Sequence, residues 1–580
     1  MACMPPCCRG RCVQFSFNAH PICRPYTGCR RFPHLLSCMS RWPFLLFLTL
    51  LAVLLTLPVV SLGASWLQWS AEVAQVLREM AQTVLPGYAL TSLLLCVAVA
   101  VGVAVVGLGT ACAVTLFDFP GRRVMEWALL LPLAMPAYVV AYAYTDFFQF
   151  SGPFQAWVRE VTGLQGRVFP EVRNTAGAAW VFTFSLYPYV YLLARTALSE
   201  RASQLMEAAR LLGAPLPRRI REVALPLARP AVAAGVALAL METLADFGVA
   251  SYFGIQTFTA GVYKAWLVMD NRIAAAQLAT VLLVLVAGLL RLEHVAQHRM
   301  RFAVTKGGRA VGTEAQPVRL CKQRTLLVWA VCGLPVAFGF VLPVVFMLRP
   351  LMGEWDTLNW SPFLGWAANS LSLAALSATL AVGIAMVLAF AVRVQTGRGW
   401  QARFTHGVAQ LAALGYAVPG AVIVVGLLLP VGWLQAVAPE SSAGYWLTAT
   451  VLGLVWAYLV RFVAVALQSV QSGYARIPTS LDESARMLGS TGLALAWRVH
   501  WPLLRRSTAA AALLVFVDVM KELPATLVLR PFNTDTLAVM AYQLARDERL
   551  GEAALPALAL VLVGLIPVVM LSRTLRARPS

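Results

Sequence analysis

The chain has 580 residues, 59% of them apolar, with a mean hydropathy of +0.72 and a net charge of +20. A soluble globular domain is roughly 45–50% apolar, so the composition excludes a water-soluble enzyme or binding module and places most of the chain in lipid. The positive charge does not call for a nucleic-acid partner, because Lys and Arg in a membrane protein first report topology.

Residues 1–38 hold seven of the eleven cysteines (Cys3, Cys7, Cys8, Cys12, Cys23, Cys29 and Cys38) in a Pro- and Arg-rich stretch without apolar periodicity. The spacing Cys3-x3-Cys7-Cys8-x3-Cys12 is not a zinc-ligand pattern, and no paired His follows it. We read 1–38 as an extension, disordered or not translated, upstream of a start at Met39. There MSRWPFLLFL opens a first span with no small-residue cleavage site behind it, which is expected to stay as an anchor.

Twelve apolar stretches follow, near 43–63, 88–117, 124–148, 176–199, 230–250, 273–290, 325–348, 368–392, 407–434, 444–468, 508–529 and 553–572. Each approaches the roughly 20 residues that a bilayer core requires of a helix. Strand-like alternation is absent, so helices satisfy the backbone. The predicted fold class is an all-α polytopic membrane protein of about twelve transmembrane helices. An inside amino terminus puts 35 of the 46 Lys and Arg on the inner side, so both termini are expected in the cytoplasm.

The first six spans form one unit, 39–290. Its basic loop, 201–229, runs into EAARLLGAPLPRRIREVALPLARP (207–230), and its fifth span contains METLADFG (241–248). A basic, Gly-containing stretch, 291–324, reads as a cytoplasmic linker. The second unit, 325–580, has its own loop, 471–506, where ESARMLGSTGLALAWRVHWPLLRR begins at Glu483. At a constant offset of 276 residues Glu207 meets Glu483, Ala209 meets Ala485, Gly213 meets Gly489 and Pro226 meets Pro502. Six spans return the chain to the same side, so the repeats are parallel. Locally, each loop reads as a short helix begun by its Glu, a left-handed glycine stop and a second short element. Ser480 with Glu483 fits a capping box.

The same offset pairs Glu242 with Asp518 and Asp246 with Glu522. Glu242 lies twelve residues past Pro230, about 18 Å into the span, where an acidic residue costs roughly 3 kcal/mol. Two readings stand. The four carboxylates line a central pathway, where hard oxygen ligands suit a hard cation; or they cap helices broken near Gly248 and Pro524, or pair with Lys521 and Tyr hydroxyls. The second is favoured, since a tight four-carboxylate site would retain an ion and passage needs weak sites. No metal site is firmly assigned. Tyr138 with Tyr142, and Tyr187 with Tyr191, read as packing or interfacial aromatics. Pro136, Pro188, Pro419 and Pro524 read as kinks or interruptions around a cavity.

The pattern E-A-A, three residues, G, then Pro thirteen positions on resembles the coupling loop of ABC importer permeases. What this resemblance implies is a fused, two-repeat permease of the type I fold in a bacterial inner membrane, moving substrate inward by alternating access. Two copies of a separate ATP-binding subunit would dock on Glu207, Ala208, Ala209, Gly213, Glu483, Ala485 and Gly489. A periplasmic substrate-binding protein would deliver the cargo, and ATP and Mg would sit in the partner, with no cofactor in this chain. The second copy departs from the pattern at Ser484, Trp501 and Arg506. Within the resemblance, ETLADFGVASYFGIQTFTAGVY (242–263) and KELPATLVLRPFNTDTLAVMAYQLARDE (521–548) look most like permeases for ferric iron. Thiamine, phosphonate, polyamine or an oxyanion are the alternative cargoes.

The chain is not expected to be an enzyme. None of its four lysines (Lys264, Lys306, Lys322 and Lys521) follows a glycine, so a phosphate-cradling G-x-x-x-x-G-K-[ST] loop is excluded. A proton- or sodium-coupled carrier is the rival class, supported by acidic residues inside spans. A carrier has no need of the repeated Glu-containing loop.

Overall fold

The structure is a computed structural model that describes residues 42–67, 71–199, 203–305, 318–319, 322–395, 399–440 and 442–576. The expectations for the Cys-rich segment 1–38 and for most of 306–321 lie outside those residues. The chain falls into two compact units, 1–49 and 50–580. Of the first, only the opening of the helix Trp42–Ser65 is described; the rest of the account concerns the second.

Among the described residues ten helices are long and apolar enough to cross a membrane: Leu45–Ser65, Leu85–Leu116, Thr175–Ala197, Leu216–Ala245, Arg272–Glu293, Gln323–Gly353, Trp360–Val394, Gly420–Val437, Val451–Tyr474 and Leu550–Met570. The other two expected spans are present in altered form. The third is broken, its halves Arg122–Ala134 and Ala137–Thr162 meeting at 89°. The eleventh is the helix Trp501–Met520, which carries Arg505, Arg506 and Asp518 and is therefore less apolar than its neighbours.

Proline explains the break and repeats it. Pro136 precedes the helix Ala137–Phe148 and Pro419 precedes Gly420–Val437, each with extended ψ (139° and 143°). A proline favours an extended residue before it and has no amide to donate, so a helix starts afresh there. Pro188, by contrast, is carried inside the unbroken helix Thr175–Ala197.

The repeat holds residue by residue. The short helices Ser203–Leu211 and Thr479–Met487, the turns Leu216–Arg219 and Gly492–Leu495, and the π-helical turns Ile220–Ala224 and Ala496–His500 are all related by 276. Packing repeats with them: the second span lies against the fourth and fifth, and the eighth against the tenth and eleventh. The halves also cross over. The sixth span packs on the ninth, and the twelfth on the broken third. Outside the helices, Phe117–Asp118 forms a two-residue parallel ladder with Val318–Arg319, tying the linker to the end of the second span.

Candidate functional site

The fifth span stops at a carboxylate, and the eleventh, Trp501–Met520, stops at Lys521 with one beside it, Glu522. The helix Leu225–Ala245 ends at Asp246 (φ −71°, ψ 130°), and a new helix, Gly248–Phe253, starts two residues on. Asp246 Oδ1 accepts from the Val249 amide at 2.8 Å, so the carboxylate caps the second piece. Its match, Glu522, does the same for Pro524–Leu529, accepting from the amides of Ala525 (3.0 Å) and Thr526 (3.1 Å) and from the Thr526 hydroxyl (2.8 Å). Interrupted spans leave free backbone donors in lipid, and an acidic side chain at the break satisfies them.

Four carboxylates and two cations line one cavity of about 140 Å³ between the halves: Glu242, Asp246, Asp518 and Glu522, with Arg461 and Lys521. Arg461 Nη1 donates to Glu522 Oε1 at 3.2 Å, and Lys521 Nζ lies 2.9 Å from Asp518 Oδ1. Tyr416, from the second half, donates its hydroxyl to Glu242 Oε1 of the first at 3.0 Å. The carboxylates therefore divide into two kinds. Asp246 and Glu522 hold helix ends, whereas Glu242 and Asp518 are held by one side-chain donor each. Although all four share the cavity, no three carboxylate, imidazole or thiol groups among the described residues gather closely enough to hold one metal ion.

Tyr138 and Ser185 stand on the cavity wall, their hydroxyls buried and without a protein partner among the described residues. Of the tyrosines singled out in the sequence, Tyr142, Tyr187 and Tyr191 pack inside the bundle instead, Tyr142 lying 4.5 Å edge-on to Tyr252. Sequence reading missed Arg461, Tyr189 and Tyr416 on this wall. Tyr189 lies between two tyrosines that were noticed. Arg461, a charge at the centre of the apolar helix Val451–Tyr474, was a signal open to use.

The loop glycines take the left-handed conformation expected of them, Gly213 at φ 79° and Gly489 at φ 85°. Each closes the same motif: Ala214 N reaches Ala209 O at 3.0 Å, and Ser490 N reaches Ala485 O at 2.9 Å, a bond across five residues that satisfies the last carbonyls. Two expectations are corrected. Glu207 and Glu483 do not begin their helices; each is the fifth residue, in Ser203–Leu211 and Thr479–Met487. Glu207 pairs with Arg210 at 3.6 Å on the surface, and Glu483 is exposed. The capping box of Ser480 with Glu483 does not form either. Pro478 is the cap residue, Ser480 already lies within the helix, and its carbonyl accepts from Ser484 Oγ at 2.9 Å. The reason is the extended Pro478, which sets the helix start at Thr479, one residue ahead of Ser480.

Ala208 and Gly213 are exposed and Ala209 is half-buried; in the second loop Ala485 is buried and Gly489 exposed. At the end of each helix an apolar ridge faces outward, Leu211 and Leu212 (83% and 88% exposed) in the first loop, Met487 and Leu488 (89% and 87%) in the second. Asp482 of the second loop is buried. Burial opposes its ionisation, but hydrogen bonds from Arg393 and His500 outweigh that and hold its carboxyl below the usual carboxylate range.

Residues 104–301 match the family described as "Binding-protein-dependent transport system inner membrane component". The chain is 25% identical to the Fe(3+)-transport system permease protein FbpB 2 of Haemophilus influenzae, over 92% of this chain and 99% of that one. It is 22% identical to the ferric transport system permease protein FbpB of Actinobacillus pleuropneumoniae over 72% of this chain and 61% of that one. The sulfate transport system permease protein CysT of Escherichia coli shares 30% identity over 25% of this chain and 50% of its own length.

Proposed function

Because this chain is a fused, two-repeat permease of the binding-protein-dependent ABC importers, most like those for ferric iron, we propose that it forms the whole membrane passage of a ferric-iron importer. A periplasmic binding protein delivers the ion. Two copies of an ATP-binding subunit, holding ATP and Mg, drive the halves between outward- and inward-open states from the cytoplasmic side, where both termini lie. The chain itself carries out no chemistry.

The observation that carries this reading is the cavity between the halves. It is lined by two matched pairs of acidic residues, and one pair, Glu242 and Asp518, is left with a single side-chain donor each. The cavity holds more carboxylates than cations, an environment that favours a cationic cargo over an oxyanion. The spread of the carboxylates also suits passage, since a converged ligand set would hold a trivalent ion too tightly to let it leave. Docking of the ATP-binding subunits on Glu207, Ala208, Ala209, Gly213, Glu483, Ala485 and Gly489 is supported by the paired apolar ridges, which find no cover among the described residues.

Sulfate is the second reading. It is favoured by the likeness to a sulfate permease and by Arg461 and Lys521 in the same cavity. Both cations are engaged by carboxylates, which is why iron is preferred. The experiment is uptake into vesicles holding the chain, its ATP-binding subunit and its binding protein, offered labelled iron(III), sulfate, thiamine, phosphonate and a polyamine in turn. ATP-dependent accumulation of iron alone supports the reading; accumulation of sulfate without iron overturns it.

A further inference from the structure

The second coupling loop is fastened to the spans by polar bonds that have no match among the described residues of the first. Asp482, 5% exposed, accepts from Arg393 Nε at 2.8 Å and from His500 Nε2 at 3.0 Å. Arg393 Nη2 also donates to the carbonyl of Ile477 at 2.8 Å. Since a carboxylate only accepts, Nε2 carries a hydrogen, and on the far side of the imidazole the Tyr474 hydroxyl lies 3.3 Å from His500 Nδ1. Phe390 covers the ring at 5.6 Å. Four elements meet here: the end of the eighth span, the end of the tenth, the short helix Thr479–Met487 and the π-helical turn that leads into the eleventh.

The first repeat is an internal control. At the offset of 276, Tyr474, Asp482 and His500 correspond to Leu198, Met206 and Ala224, all buried. Arg393 corresponds to Thr115 at the offset of 278 that relates Ser92 to Ser370, whose hydroxyls accept from the matched amides of Phe258 and Leu537. The same joint is thus built once from apolar contacts and once from a buried, fully engaged Asp. Apolar packing is enough to fold such a joint, and a buried ion pair is often no more stable than its apolar equivalent. What directional bonds add is a fixed angle, since apolar surfaces slide where paired charges do not.

We infer that Arg393, Asp482 and His500 are positioning residues that make the second coupling helix a rigid lever on the eighth and eleventh spans, so that the two loops transmit ATP-driven motion unequally. This rests on the reading that both loops dock ATP-binding subunits. It predicts that the second loop is the tighter link.

The test uses the full chain reconstituted with its ATP-binding subunit and binding protein. The second loop is given the first loop's residues by Arg393→Thr, Tyr474→Leu, Asp482→Met and His500→Ala, beside the isosteric Asp482→Asn and the conservative Asp482→Glu. Two quantities are read: the ratio of binding-protein-stimulated to basal ATP hydrolysis, and amide hydrogen exchange of 479–490 against 203–214 in the chain alone. The fourfold variant should keep basal hydrolysis while its stimulation falls about tenfold, within the usual span of coupling energies. Its 479–490 amides should exchange as fast as 203–214. Asp482→Asn should follow it, and Asp482→Glu should recover most of the stimulation. Unchanged stimulation in an assembled fourfold or Asp482→Asn complex overturns the inference, and so does a fourfold variant that does not fold, since the cluster would then build the joint instead of positioning it. A wild-type chain that does not retain the ATP-binding subunit overturns the docking reading first, and the exchange data then report on the lever by itself.

Discussion

At the scale of single residues, the four intramembrane acids have unequal roles, and substitution should separate them. Glu522 caps a helix, pairs with Arg461 and has a side chain only 2% exposed. Glu522→Gln takes from that buried guanidinium the one carboxylate bonded to it among the described residues, which should cost about 3 kcal/mol and lower the detergent unfolding temperature along with every activity. Glu242→Gln and Asp518→Asn remove one charge each but keep an acceptor oxygen for Tyr416 and Lys521, and should leave stability nearly unchanged. Equal loss of thermal stability in all three variants would contradict the division. Asp482 yields a pH prediction. Its folded carboxyl titrates below the usual range, so its contribution to stability is present above the unfolded value, about 3.9, and is lost only as pH falls through the lower folded value. Hydrogen exchange of 479–490, corrected for intrinsic rate, should thus stay constant from pH 7 to pH 5. A loosening within that window would contradict the assignment.

At the scale of elements, the glycine stops are the sharpest feature, and they were legible because a left-handed cap has a one-letter signature repeated at a fixed offset. Gly213→Val and Gly489→Val force a β-branched residue into that conformation, at roughly 1–2 kcal/mol each, although open space surrounds both positions. The expected result is loss of co-purifying ATP-binding subunit while the spans still insert; full retention in the double variant would argue against loop docking. Other features were not legible, for physical reasons. Apolarity averaged over some twenty residues cannot register a break of two; it was the paired acids beside Gly248 and Pro524 that pointed to broken, capped helices, and the structure places the first break at Asp246. The helix starts were misjudged because Glu207 and Glu483 were given the role of first-turn acids, whereas Pro478 sets the start in the second loop. The Arg393–Asp482 bond joins residues 89 apart, and no local spacing announces it.

At the scale of the whole molecule, duplication does most of the explaining. Two halves related by 276 residues place matched acids on one cavity, matched helix breaks beside it and matched loops on one face. The fold class and the six-plus-six organisation followed from apolar runs and parity; the exchange of spans between halves, sixth on ninth and twelfth on third, did not, because pairing between distant helices leaves no periodic trace. Through that exchange each half bears on a proline-interrupted span of the other. The central claim is that the cavity is the cargo path, and one measurement bears on it most directly: labelled iron(III) uptake per ATP hydrolysed, in vesicles carrying Glu242→Gln with Asp518→Asn. The account predicts that uptake falls about tenfold, the effect of removing roughly 1.4 kcal/mol of attraction, while hydrolysis stays at the wild-type rate. Wild-type uptake per ATP in that double variant would contradict it.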